Sequence, residues 1–341
     1  MSVTEGFRAL AERIVDDLLE ADPEEATDLG DHRFDDRLAD RGASAVDEHL
    51  RRLDDHLTEL DAVDDVELDV ADLVDLEILR ARLLRSVFEL QVVRRQEWDP
   101  MVWNPGTALH LLLSREFAPG HERALSLHGR LAAIPGALAT ARGELTDMSA
   151  IHVETALAQL EGTRRLIDSD ARALVVDEGL SDDAVDTAID AVAQFGRWLQ
   201  DRLPGSSRSP RLGERVYSGA LWHAMDDDTA AETLLTDAFG RLEVLDQLLP
   251  ETARAYLDGP SHLSDREAVR TALDEIARRA VVTDETVLPL MGRALEHATR
   301  FVDEHRLVTV PELDVRIVEM PEIHRGVAVA YCDAPGPLEG A

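Results

Sequence analysis

The sequence predicts a mainly α protein, a multi-helix array with a small β element at its C-terminal end. Three observations lead there. Up to about Arg306, apolar residues recur at the i, i+3, i+4 and i+7 spacing of one helix face. Proline and glycine stand at the joints between these runs, where helices stop. Past Val308 the pattern changes, with β-branched residues alternating with polar ones over residues 315–319. A second apolar run over residues 326–332 follows, closed by Asp333-Ala334-Pro335-Gly336-Pro337.

The first helix carries Phe7, Leu10, Ile14 and Leu18, with Ser2 and Glu5 spaced as a capping box, and ends near Asp22-Pro23. A polar loop runs from Leu29 to Gly42. A helix over residues 45–60 and an acidic connection lead to a strong helix over residues 69–94. Leu76, Leu79, Leu83, Val87 and Leu90 lie on its stripe, and Trp98-Asp99-Pro100 breaks it. A helix with Leu109, Leu112 and Leu113 follows Asn104-Pro105-Gly106. Residues 121–133 and 135–144 read as two helices split at Pro135, because proline removes a backbone donor. Helices over 151–167 and 181–203 complete this region.

Residues 204–212, rich in Pro, Gly and Ser, read as a linker. Beyond it helices are expected over 229–249, 264–280 and 283–305, with Thr229/Glu232 and Ser264/Glu267 as start signals. The division is thus residues 1–203, a linker at 204–212, a second helical region at 213–307 and a β-containing tail at 308–341. One or two terminal strands do not make an independent sheet. They are expected to pair with each other against the helical body or to find partners in sequence beyond.

Composition removes several function classes. The 341 residues carry 69 acidic and 35 basic side chains, every basic one an arginine, for a formal charge of -34. That field opposes binding to nucleic acid or to an anionic membrane. A GC-rich genome and a saline cytoplasm each account for it, the latter by screening the self-repulsion. The single cysteine, Cys332, rules out a disulfide framework. No signal-peptide core and no membrane-length apolar run are present, so a cytoplasmic location is expected.

Twelve histidines invite a metal search. A zincin needs His-Glu-x-x-His, which sets two imidazoles on one helix face beside a carboxylate base. His121-Glu122 comes nearest, but Leu125 stands where the second ligand belongs and His128 is about two turns on. His152 and Glu154 diverge on a helix, and a cap or buried hydrogen bond suits His152 better. Glu296-His297 and Glu304-His305 read as surface pairs. There is no nucleophile elbow, phosphate loop or dinucleotide fingerprint. Two clusters stand out: Arg95-Gln96-Glu97-Trp98-Asp99-Pro100 and Arg115-Glu116-Phe117-Ala118-Pro119, where arginine–carboxylate pairs stapling loops are expected.

Taken in order, several segments resemble the family of domain of unknown function 885. They are Asp22-Pro23 through Gly30-Asp31-His32, Glu97-Trp98-Asp99-Pro100, Arg115-Glu116-Phe117, Ile151-His152-Val153-Glu154, Arg211-Leu212-Gly213 with Tyr217, and the tail from Met320-Pro321 to Leu338-Glu339. The resemblance implies a mostly helical, zinc-metallopeptidase-related fold whose members carry His-Glu-x-x-Pro-Gly-His downstream of such a tail. That motif is absent from these residues, so no catalytic, cofactor-binding or metal residue is expected here, and zinc only with the C-terminal region that would supply it. His324, Arg325, Gly326 and Tyr331 are the expected cleft-lining residues.

Three functions follow. The chain is the N-terminal portion of a metallopeptidase-like enzyme, truncated and inactive as given. Or it is a non-catalytic helical protein that binds a peptide or a partner chain completing the sheet. Or its histidines and acids form a metal site of unfamiliar spacing.

Overall fold

The computed structural model describes residues 3–225, 229–258, 262–279, 282–310, 315–320 and 332–339. They fall into two compact units, one of Met1–Asp227 with Pro321–Ala341, the other Asp228–Met320.

In the first unit, α1 (Val3–Ala21), α3 (Ala43–Asp61) and α4 (Val70–Phe88) share one core of Phe7, Ile14, Leu53, Leu60, Leu76, Leu79 and Leu83. Asp69 starts α4 by accepting from the Ala71 and Asp72 amides. The helix then widens into a π turn, Glu89–Val93, and stops at Arg94 in the left-handed region, φ 55°. Between α1 and α3 sits α2 (Pro23–Leu29), capped by Asp22, whose carboxylate accepts from the Glu25 amide, and opened by Pro23. A 3-10 turn at His32–Phe34 follows it.

A second core in this unit joins α5 (Gly106–Ser114), α6 (Gly120–Glu144), α7 (Ala150–Leu166), α8 (Arg172–Asp177) and α9 (Asp183–Arg202). Ile134, Leu138, Val153, Val185, Phe195 and Leu199 are buried in it. The split expected at Pro135 does not occur, and α6 runs through that residue. Ile134 and Leu138 flank the proline and are anchored in the core, so packing on α9 outweighs the one hydrogen bond lost. After α9 the chain stays on the body: the Arg208 amide donates to Met148 O at 3.2 Å, and Ser207 bridges Ser149. Helix α10 (Glu214–Met225) sets the His223 ring 4.8 Å from Phe88 at the end of α4.

The second unit contains α11 (Ala231–Tyr256), α12 (Asp265–Arg279) and α13 (Val287–Glu304). Among its described residues few are buried: Pro250, Ala253, Ala268 and Ala272. Helix α11 continues past the expected stop through Pro250.

The expected β element is not found among the described residues. Residues 315–320 have no regular secondary structure and no ladder partner among the described residues, although their sequence carries the β-branched pattern of a strand. Alternation makes a strand only where a second strand takes its amides and carbonyls. The run at 326–332 lies outside the described residues except for Cys332, which is exposed.

Candidate functional site

Three segments far apart in sequence meet on the first unit: the end of α2, the stretch after α5, and the tail at 333–339. Gly30 closes α2 at φ 91°, its amide returning to Thr27 O at 3.1 Å. A Cβ on Gly30 would stand 2.4 Å from the Glu339 nitrogen, and one on Gly336 would stand 2.3 Å from the Leu29 carbonyl carbon. The two glycines let two backbones touch, and the Leu338 amide donates to Leu29 O at 2.8 Å.

Arg115 fastens the contact. Its Nη1 donates to Asp28 O at 2.9 Å and to Glu339 Oε1 at 3.3 Å. Its Nη2 donates to Asp28 Oδ1 and Asp333 Oδ1, each at 2.9 Å, and to Ala334 O at 3.2 Å. Burial works against its charge, but the Asp333, Glu339 and Asp28 carboxylates outweigh that and hold its pKa above the ordinary guanidinium value. A fork of five donors suits this task, where an ammonium would not span the acceptors.

Beside the clamp, His32 lies flat on Phe117, ring centroids 3.6 Å apart and planes 5° apart. Its Nδ1 meets Asp35 Oδ2 at 2.8 Å, while Nε2 lies 3.9 Å from Glu339 Oε1, too far for a hydrogen bond. Asp35 Oδ1 accepts from the Thr27 hydroxyl at 2.6 Å. Beneath is Arg130, wholly buried, donating to Ala108 O at 2.6 Å, Arg37 O at 2.9 Å and Pro23 O at 3.1 Å. Desolvation lowers its pKa and Asp35 opposes that; a guanidinium keeps its proton in either case. Arg130 thereby ties α2 and the following turn to α5 and α6.

A second junction gathers the other motifs. Trp98 is buried, donates from Nε1 to Val93 O at 2.8 Å, and meets the His152 ring edge-on at 5.2 Å. Arg208 lies over its face at 4.7 Å. Ser149 caps α7 and contacts His152 Nδ1 at 2.5 Å. Arg95 Nε donates to the fully buried Asp99 at 3.0 Å. The arginine staples expected in both clusters are present. A serine–histidine contact made within one helix cap, with Ser149 buried, is an N-cap and not a nucleophile pair.

The expected cleft residues His324, Arg325, Gly326 and Tyr331 lie outside the described residues. His121 is exposed, 3.8 Å from Glu178. Among the described residues no three His, Cys, Asp or Glu side chains converge to hold a metal. A cavity of about 20 Å³ between Glu24, Arg41, Trp103 and Asn104 has room for about one water and no substrate. What the clamp can do chemically is hold carboxylates and backbone carbonyls. Asp35 and Arg130 carry no signal in the sequence; Thr27, Gly336 and Glu339 fall in the segments that resemble the family, where the Pro-Gly-Pro run marks a turn but not what it rests on.

A family model described as "Bacterial protein of unknown function (DUF885)" matches residues 23–341. The chain belongs to that family. Among curated proteins none matches the DUF885 chain. It is similar to a solved structure described as "a putative lipoprotein of unknown function from Shewanella oneidensis", with a TM-score of 0.75 and 21% identity. The match covers 98% of this chain and 65% of that one, so the DUF885 chain spans less than two thirds of its structural neighbour. The likeness establishes a shared fold. Among the described residues no helix is long and apolar enough to cross a membrane.

Proposed function

We propose that this DUF885 chain is the helical body of a peptide-hydrolase-related protein, and that its clamp anchors the tail leading toward a peptide cleft. The observation that carries this is the convergence on Arg115: one guanidinium holds Asp28, Asp333, Glu339 and the Ala334 carbonyl while the tail backbone lies on Leu29. The hydrolase relation itself rests on the order of the sequence motifs, and chemistry is not assigned to the described residues.

The experiment pairs amide hydrogen exchange with a peptide-cleavage assay on the 341-residue chain. Arg115→Gln and Gly336→Ala are each expected to speed exchange at 333–339 while α6 and α9 keep their protection. Wild-type chain with one equivalent of zinc is expected to leave a mixed peptide library intact. Unchanged tail exchange in both variants would remove the anchor, and chelator-sensitive cleavage would place a catalytic centre within these residues, against the proposal.

A second reading, a non-catalytic partner-binding protein, is favoured by the second unit. Helix α13 buries no side chain, and Leu235, Phe239, Leu242, Leu245 and Leu249 of α11 stand about half exposed. Light scattering at high salt separates the two: a concentration-dependent dimer supports this reading, and a monomer at all concentrations opposes it.

A further inference from the structure

His32 stands in the clamp with one nitrogen unaccounted for. Its ring lies flat on Phe117, and its two nitrogens each look toward a carboxylate. Nδ1 is 2.8 Å from Asp35 Oδ2, and Nε2 is 3.9 Å from Glu339 Oε1. Asp35 is buried and the Glu339 side chain nearly so. Nε2 is itself closed to solvent and has no hydrogen-bond partner. A shielded polar atom without a partner is rare and needs a reason.

Counting protons supplies one. A neutral imidazole carries a proton on one nitrogen and a bare lone pair on the other. With the proton on Nδ1, the lone pair of Nε2 faces the Glu339 carboxylate. With the proton on Nε2, the lone pair of Nδ1 meets Asp35 at 2.8 Å. Either tautomer sets an acceptor against an acceptor, and only the imidazolium has a donor on both sides. The surrounding charges call for that cation. On the histidine's own turn, Arg33 is taken by Asp31 and by Asp16 of α1. Arg115, after α5, is shared among Asp28 of α2 and Asp333 and Glu339 of the tail. Arg130 of α6 stands 3.9 Å from Asp35. Six carboxylates thus share three guanidiniums, and a positive charge between Asp35 and Glu339 answers the excess.

We propose that His32 is a proton-operated latch on the C-terminal tail: its charged ring bridges Asp35 on the body to Glu339 on the tail, and loss of the proton loosens residues 333–339. The latch rests on the reading of this clamp as the tail's anchor and adds the condition under which the anchor holds. The sign follows from linkage. A docked tail presents Glu339 to the imidazolium and an undocked tail does not, so docking favours the proton and the proton favours docking. Docking is tight at mildly acidic pH and weakens as pH rises through the range where imidazoles titrate. Carboxylates as a class take up protons below about pH 5, so the test stays above that.

The test is amide hydrogen exchange on the 341-residue chain between about pH 5.5 and about pH 8.5, the window in which imidazoles change charge. The Leu338 amide, which donates to Leu29 O at 2.8 Å, reports docking. Its rate is divided by the intrinsic rate at each pH, and amides of α9 serve as the reference. The latch requires protection at Leu338 to fall roughly tenfold across that window while α9 keeps its own. In Glu339→Gln and in His32→Gln the profile flattens, because one charge of the pair is gone. Glu339 lies outside both cores of the first unit, so its replacement leaves the helical body folded even if His32→Gln does not fold. A protected Leu338 amide with a flat wild-type profile overturns the latch and leaves the anchor standing. An undiminished pH step in Glu339→Gln overturns the latch as well. A Leu338 amide unprotected at every pH removes the anchor and the latch with it.

Discussion

At the scale of single residues, the first unit is tied together by arginines that reach across segments, and Arg130 does so from full burial. Arg130 has no solvent-accessible surface and four oxygen partners, counting Thr27 Oγ1. Replacing it by Met removes the donors from those shielded oxygens and takes the guanidinium charge away from the buried Asp35, which keeps only His32 and the Thr27 hydroxyl. A loss of about 3–5 kcal/mol is expected in urea unfolding. A loss under about 1 kcal/mol would mean that the network is not what binds α2 to α6. His49 makes the residue-level pH prediction. Its folded pKa is about 4 against 6.5 for an unperturbed imidazole, so the unfolded chain binds more protons between those values. Its contribution is fully present above pH 6.5 and is lost as pH falls toward 4, up to about 3 kcal/mol. The carboxylates titrate partly in the same window, so the measurement is the difference between wild type and His49→Gln. That difference should shrink or change sign between pH 7 and pH 4; a constant offset would show that burial is not what depresses this group.

Among the elements, helix ends explain where the sequence was legible. Asp22, Asp69 and Ser149 occupy N-caps, each with its side chain on a free amide of the first turn. Ser149 also orients His152 against Trp98, so it links α7 to the preceding junction. Ser149→Ala should cost about 1–2 kcal/mol, with Ser149→Asp recovering much of it. Equal stability of all three forms would assign the junction's strength to the tryptophan alone. Pro135 marks the limit of such reading. Its local effect is to break a helix, but Ile134 and Leu138 are held on α9, and long-range packing overrides the missing donor. The tail is the converse case: a local strand pattern at 315–320 has no partner among the described residues, and pattern alone makes no sheet.

Over the whole molecule, the charge of -34 sets the conditions under which this fold is stable. Many carboxylates are paired with arginine, yet the excess repels across distances longer than a contact. Raising sodium chloride from about 0.1 to about 1 M shortens the screening length from roughly 10 to 3 Å. The thermal midpoint should rise over that range, and a flat or falling midpoint would show that local pairing has already cancelled the repulsion. The two units should not respond alike. The second has few buried side chains, so its backbone amides should exchange faster than those of α6 and α9 at every salt concentration.

The sequence by itself determined the helical class, most helix positions and the order of family motifs, because periodicity, caps and spacing are local properties of the chain. Only the tertiary structure decided that Arg115 reaches Glu339, that Gly30 and Gly336 bring two backbones into contact, and that Arg52 has no carboxylate partner among the described residues. These depend on which helices pack together. A solvated arginine, a buried arginine and an unpaired arginine look the same in a linear sequence and differ only in the partners that folding brings to them.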